Sequence, residues 1–115
     1  MKTTVVNLKH EAFDVYIGRA ATRASDARCH EESMFANPFP LTKALVATLG
    51  DAGARRHVIE QFRQHLLNCL EENPGVWVPA LRNLKGKRLG CWCKPLACHG
   101  DVLAEFAQQM VTEQA

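Results

Sequence analysis

Residues 90–100, GCWCKPLACHG, hold three of the five cysteines of the chain and a histidine, arranged as Cys91-x-Cys93-x4-Cys98-His99. A thiolate is both a nucleophile and a metal ligand, and an imidazole can act as a general base or bind a metal. The segment could therefore perform nucleophilic chemistry, hold a metal, exchange a disulfide or pack into the core.

The cysteine segment is predicted to join a strand to the last helix. KRLGCW (residues 87–92) is typical of a buried strand, and GDVLAEFAQQM has apolar residues at helical spacing. At such junctions in open α/β sheets, the helix N-terminus favours anions and thiolates. We therefore predict Cys98, His99 and Cys93 as catalytic residues. Asp101, in the first helical turn, is predicted to contribute to the ligand site or to complement the helix dipole.

Zinc binding is the alternative use of this segment. Three thiols and one imidazole make a legitimate tetrahedral ligand set, here Cys91, Cys93, Cys98 and His99. The spacings differ from the usual C-x2-4-C knuckles, so closure around one ion is awkward unless Cys29 and His30 supply missing ligands. A third hypothesis is thiol redox exchange between Cys93 and Cys98, although a C-x-x-C arrangement is absent.

Two further segments are predicted to contribute to a ligand site. Gly18 and Arg19 end and follow the predicted strand DVYIG, where glycine allows close backbone approach and a guanidinium can clamp an anion. Residues 19–41 lack periodicity, and long irregular stretches of this kind are often functional. Within them, Asn37 could read hydrogen-bond patterns, and Phe39 could stack on a base or fill the core.

The remaining pattern predicts the fold. TVVNLK (residues 3–8) and DVYIG (residues 14–18) predict two strands, which pair antiparallel if they are neighbours. Helices are predicted over four stretches: residues 42–49, residues 52–72, one turn after Pro79 and the closing segment. Trp92 is assigned to the core. The expected fold is a single small Rossmann-like α/β domain, residues 1–115, with a short mixed sheet flanked by helices.

Composition restricts the possible partners. A chain of 115 residues with 47% hydrophobic and 23% charged residues is ordinary for one globular domain. It has neither a membrane span nor a signal-peptide pattern, so a cytoplasmic protein without a membrane partner is expected. Five cysteines cannot all pair within one chain, which disfavours a disulfide framework. A net charge of +2 leaves nucleic acid possible as a partner but does not indicate it.

Several motifs together carry a family resemblance: VVN, DVYIGR, NPF and GKRLGCWCKPLACHGDVLAE. The chain resembles, from about Thr4 to Phe106, a small bacterial and phage family catalogued only as a domain of unknown function, family 4326. Members usually carry a glycine before NPF, where this chain has Ala36, and residues 26–34 look like an insertion. A looser resemblance to a Rossmann-like family with a C-x4-C-H run at its last helix implies a small α/β fold.

These observations lead to one functional hypothesis and one alternative. The first is a domain that binds, and could process, a small nucleotide-like or phosphorylated ligand at the Cys98-His99 helix start. It requires Arg19, Asn37 and the cysteine segment to meet in one pocket. The alternative is a zinc-stabilised interaction module that unfolds when the ion is chelated.

Overall fold

The computed structural model describes residues 2–110 and contains one small sheet with helices packed on it. Its elements, in chain order, are strand β1 (Thr4–Asn7), strand β2 (Val15–Tyr16), a 3-10 helix (Ala27–Cys29), helix α1 (Lys43–Glu72), helix α2 (Pro74–Arg82), strand β3 (Arg88–Cys91) and helix α3 (His99–Gln109). The predicted α/β class is confirmed. The Rossmann-like comparison stays a prediction.

The sheet is parallel throughout its described strands. β3 lies in the centre, with β1 on one side and β2 on the other, and both run parallel to it. The expectation of a mixed sheet is therefore wrong, because the first two strands are not neighbours. A four-residue strand is about 13 Å long, and the seven residues between β1 and β2 can span about 23 Å. This link is long enough to return the chain to the opposite edge without a helix.

The two faces of the sheet are covered differently. Side chains alternate between faces along each strand, so Leu89 and Cys91 face the helices and belong to the main core. Gly90 faces the other way, towards Phe13 of the link between β1 and β2. A Cβ at Gly90 would lie 2.6 Å from Cγ of Phe13, so only glycine admits this ring. The irregular residues 19–41 complete that side and bury Cys29 there.

Helix α1 covers both helices predicted for residues 42–49 and 52–72, which are joined across a kink at Gly50. The Thr42 hydroxyl caps its start by accepting from the Leu45 N–H. Gly50 has φ 76° and ψ 168°, which interrupts the helical path at the predicted boundary. The side chains of Val58, Phe62 and Leu66 recur every four residues and are buried. In the described part of the chain, no helix has both the length and the apolar character to cross a membrane.

Helix α2 begins earlier than the sequence analysis expects. Pro74 occupies its first position, where an amide N–H would have no helical partner, and Pro79 lies within it. Pro79 removes only one backbone hydrogen bond, to the Gly75 carbonyl. Leu81 is fully buried from this helix, so packing offsets the missing bond and the helix extends across the proline.

Helix α3 lies directly on the sheet at its first turn. A Cβ at Gly100 would lie 2.7 Å from Cδ1 of Ile17 and 2.9 Å from Cγ1 of Val5. Further along, Val102 and Leu103 are buried as predicted. The close approach at Gly100 fixes the two residues before it, Cys98 and His99, at the carboxyl ends of the parallel strands.

Candidate functional site

A cleft of about 450 Å³ lies at the carboxyl ends of the strands, and we name it the Cys93 cleft. Most of the sequence-predicted site residues line it: Gly18, Arg19, Asn37, Phe39, Cys91, Cys93, Cys98 and His99. Asp101 is not among its lining residues. A more open depression of about 890 Å³ adjoins it and shares Trp92 as a wall. The cleft thus brings together three segments that are distant in sequence.

Three thiols meet on the inner wall of the cleft. Cys91 ends β3 and Cys98 caps α3, and their Sγ atoms are 3.4 Å apart, within hydrogen-bond distance and without a disulfide between them. Both side chains are almost fully buried, with exposures of 2% and 3%. Cys93 follows β3 and is half-buried. Cys93 is therefore the thiol of the three that solvent and a ligand can reach.

The pKa values of the three thiols are shifted in different directions. Hydrogen bonds from Cys91 and then Cys98, followed by one from the Arg55 guanidinium, hold the pKa of Cys93 well below its usual range. The pKa of Cys91 is raised, first by its hydrogen bond to Cys93. The pKa of Cys98 is also raised, first by Cys91 and then by Cys93. This arrangement favours one thiolate, on Cys93, stabilised by two thiol donors and one cation.

Arg55 is a site residue that the sequence analysis missed. It lies on α1, and its Nη1 donates to the Ala97 carbonyl at 3.2 Å, which also holds the loop before α3. Val58 and Ile59, three and four residues further on, line the same cleft. That helical spacing is the signal by which Arg55 could have been found, once α1 was known to face the cysteines.

Trp92 is not a core residue, which corrects the prediction. Its side chain is 38% exposed, and its Nε1 donates to the Tyr16 hydroxyl at 2.9 Å. The Tyr16 hydroxyl in turn donates to the Arg19 carbonyl. A Cβ at Gly18 would lie 2.5 Å from the Tyr16 Oη, so glycine is needed there to admit the tyrosine. Alternation along β3 turns Trp92 away from the helices and onto the outer surface.

His99 is held by the end of β2. Its Nε2 lies 2.7 Å from the Ile17 carbonyl, so this nitrogen carries a proton and donates. The ring packs edge-on against Phe62, with centroids 5.0 Å apart. Burial lowers the pKa of His99, because desolvation outweighs the carbonyl contact. The imidazole is therefore neutral and rigidly placed beside the thiols.

Arg19 and Asn37 lie in the cleft and bind each other. The Nε and Nη2 atoms of Arg19 donate to the Asn37 carbonyl at 3.0 and 2.8 Å. The Asn37 side chain accepts from the Phe39 N–H and donates to the Val58 carbonyl. The side-chain amide of Asn37 thus connects the irregular segment to α1. The Nη1 atom of Arg19 takes part in neither of the two hydrogen bonds to the Asn37 carbonyl.

Asp101 serves the helix start and the loop before it. Its Oδ2 accepts from the Cys98 N–H at 3.1 Å, and its Oδ1 accepts from Lys94 Nζ. It completes a capping box at the beginning of α3. The helix-dipole role predicted for Asp101 matches this geometry, and its ligand-binding role stays a prediction.

The zinc alternative also finds no supporting geometry. Within residues 2–110, no group of three or more His, Cys, Asp or Glu side chains is arranged to hold a metal ion. His99 directs its Nε2 at a backbone carbonyl. Cys29 is fully buried on the opposite face of the sheet, and the His30 ring lies 2.7 Å from the Ala24 carbonyl. The fold therefore keeps the two Cys-His pairs apart.

The fold and site define a small α/β domain with a thiol-lined cleft at the carboxyl ends of parallel strands. The chain matches the family model described as Domain of unknown function (DUF4326) over residues 3–109, and it belongs to this family. The resemblance stated from LGCWCKPLACHGDVL is confirmed.

A curated relative is the "Uncharacterized 12.4 kDa protein in nrdA-td intergenic region" of Enterobacteria phage T4, which is 37% identical over 60 residues. That match covers 52% of this chain and 55% of the relative, so the chain spans about half the length of the curated relative it matches. No solved structure matches the chain.

Proposed function

We propose that this domain binds a small anionic ligand, nucleotide-like or phosphorylated, in the Cys93 cleft. The observation that supports this most is the meeting of Arg19, Arg55 and the thiol segment around one concave surface. These residues come from three distant parts of the chain, and the first and the last were proposed as ligand contacts from the sequence.

The chemistry of the walls supports an anion with a flat apolar part. Two guanidinium groups, Arg19 and Arg55, offer planar donor forks that suit phosphate or carboxylate. Phe39 and Trp92 add ring surface at the edges of the cleft. A volume of about 450 Å³ lies within the range of small-molecule sites, roughly 300–1,000 Å³.

In this proposal, Cys93 is the nucleophile that faces the bound ligand. Cys91 and Cys98 donate to its thiolate, and His99 is a neutral imidazole held in place beside them. This assigns different roles to the three residues predicted as catalytic. The accessible thiolate attacks the ligand in this scheme, while Cys98 and His99 support it from the buried side.

Titration calorimetry with nucleoside mono- and diphosphates, sugar phosphates and inorganic phosphate tests the proposal. We expect at least one organic phosphate to bind with 1:1 stoichiometry and to bind more weakly as salt is added. Arg55→Met is expected to weaken that binding by about tenfold or more, the usual cost of a lost charged hydrogen bond.

Arg56→Met is the matched control, since Arg56 is the next residue on α1 and is exposed outside the cleft. It should bind the phosphate as the unaltered protein does, and thermal melting of both variants checks that they fold. Failure of every phosphate in the panel to bind, or equal affinities for the two variants, would overturn the proposal.

We also propose a reducing cytoplasm as the compartment of this protein. All five cysteines are free thiols, including two whose sulfur atoms are in contact. Thiols at this distance persist where the glutathione and thioredoxin systems keep them reduced.

A further inference from the structure

The three thiols of the Cys93 cleft differ in accessibility in a way that ligand binding alone does not require. Cys93 opens to the cleft, whereas Cys91 and Cys98 are buried directly behind it. All three thiols line the same cleft, and the Sγ atoms of Cys91 and Cys98 lie 3.4 Å apart behind Cys93. An accessible thiol backed by a second thiol is the arrangement found in reversible redox sensors.

We propose that Cys93 is a peroxide-sensitive thiol and that Cys98 is its resolving partner, so that oxidation joins the two in a disulfide. This goes beyond ligand binding, because it needs no ligand and names a modification site in the cleft. It also assigns a separate task to each of the two thiols.

The surroundings of Cys93 favour its reaction with a small peroxide. Arg55 lines the same cleft as Cys93. Cys91 and Cys98, and then the positive charge of Arg55, lower the pKa of the Cys93 thiol, which is typical of reactive rather than structural cysteines. The other cysteines lack this combination. Cys29 is fully buried, and Cys69, although half-buried, has the His65 ring at 3.6 Å and lies outside the Cys93 cleft.

Cys98 suits the resolving step better than Cys91. One residue separates Cys91 from Cys93, and two positions along an extended chain put Cα atoms about 6.6 Å apart, near the upper limit for a disulfide. Residues 93–96 form a turn, with the Leu96 N–H donating to the Cys93 carbonyl at 2.9 Å, and Cys93 and Cys98 line the same cleft. That turn brings the two cysteines back towards each other.

The proposed reaction balances with hydrogen peroxide as the oxidant. The Cys93 thiolate attacks one peroxide oxygen, the O–O bond breaks, and sulfenic acid and hydroxide form. The hydroxide takes a proton from solvent and leaves as water. The Cys98 sulfur then attacks the Cys93 sulfur, the S–O bond breaks, and the departing oxygen leaves as a second water with the thiol proton. Two thiols are oxidised by two electrons, and one peroxide is reduced.

Peptide mass spectrometry on fully reduced protein treated with one equivalent of hydrogen peroxide tests the proposal. We expect a Cys93–Cys98 disulfide that dithiothreitol reverses. In Cys98→Ser, Cys93 should stop at sulfenic acid and be trapped by dimedone, while Cys91→Ser should still form the disulfide. Arg55→Met should slow the oxidation of Cys93 by about tenfold, and Arg56→Met should not.

Two results would overturn the inference. One is first oxidation at Cys69, which Cys69→Ser then abolishes. The other is a disulfide that requires Cys91 instead of Cys98. Circular dichroism on each serine variant identifies any that fail to fold, and the Arg55→Met rate then provides the test within an intact thiol set. Because no phosphate ligand is used, this experiment fails or succeeds independently of ligand binding.

Discussion

The chain contains two Cys-His pairs, and the fold places them in opposite environments. Cys29 and His30 lie at the end of the 3-10 helix, and Cys98 and His99 lie at the start of α3. In both pairs the imidazole Nε2 is 2.7 Å from a backbone carbonyl. The local bonding is thus similar, and the difference comes from what surrounds each pair.

Cys29 is isolated among apolar groups. It is fully buried on the sheet face that carries Phe13 and Val6, and burial raises the pKa of its thiol. Its neighbour His30 is exposed. Cys98 is equally buried, yet its sulfur contacts another thiol beside a cleft. Proximity to the strand ends, and not the dipeptide itself, decides which pair can take part in chemistry.

The largest contrast is expected between the two histidines. His99→Ala removes the ring from Phe62 and leaves the Ile17 carbonyl without its donor, so we expect a loss of about 2–4 kcal/mol in the free energy of unfolding. His30→Ala affects an exposed ring and should cost under about 0.5 kcal/mol. Urea unfolding of both variants measures the difference, and equal costs would remove the distinction between the pairs.

An added methyl group is expected to reduce the free energy of unfolding by a similar amount beside each Cys-His pair. Gly100→Ala forces a Cβ to 2.7 Å from Ile17, and Gly90→Ala forces one to 2.6 Å from Phe13, so each should cost about 1–3 kcal/mol. Gly75→Ala is the control, because no atom lies within 4 Å of a Cβ there. Thermal melting should separate the first two variants from the third. A Gly100 variant as stable as the Gly75 variant would mean that α3 does not lie against the strands as described.

Thiol alkylation sharpens the comparison between cysteines. At pH 6, iodoacetamide should modify Cys93 at least about tenfold faster than Cys69, because the pKa of Cys93 is lowered and that of Cys69 is raised by burial. Cys29 should remain unmodified until the protein unfolds. Peptide mapping over time gives all three rates, and comparable rates at Cys93 and Cys69 would contradict the thiolate assignment.

A smaller effect is expected in the pH dependence of stability. Burial lowers the pKa of His99 in the folded protein below the ordinary value of 6.5. As the pH falls below about 6.5, the unfolded chain takes up this proton first, so stability decreases by up to about 1.4 kcal/mol per pH unit. Above that pH, His99 is neutral in both the folded and the unfolded protein, so it no longer changes the stability with pH. His99→Gln should flatten this part of the profile; a profile that this substitution leaves unaltered would exclude His99 as its source.

Much of the fold could be predicted from local patterns. The three strands, the break at Gly50 and the buried face of α3 follow from residue type and spacing. Strand order could not, because the five residues between the predicted strands were judged too few for a helical crossover, which favoured an antiparallel pair. The extent of α2 was also missed, since a proline inside a helix costs one bond that only tertiary packing can offset.

The candidate site divides in the same way. The residue types at Arg19, Asn37 and Cys93 predicted three segments that the structure places along one cleft. The Asn37 side-chain amide, predicted to contact a ligand, instead makes hydrogen bonds within the protein. Arg55 was missed because its interaction with Cys93 connects positions that are 38 residues apart along the chain. Trp92 was predicted to lie in the core because tryptophan is usually buried. The register of β3 instead directs its side chain to the outer surface.

The sequence by itself determined the family, the α/β class and the grouping of thiols at a strand-to-helix junction, because each depends on residues adjacent in the chain. Only the tertiary structure decided that Cys93 is the accessible thiol, that Arg55 stands beside it and that Cys29 does not join it. Accessibility and charge pairing depend on distances across the fold, which α1, the parallel strands and the Gly100 contact set together.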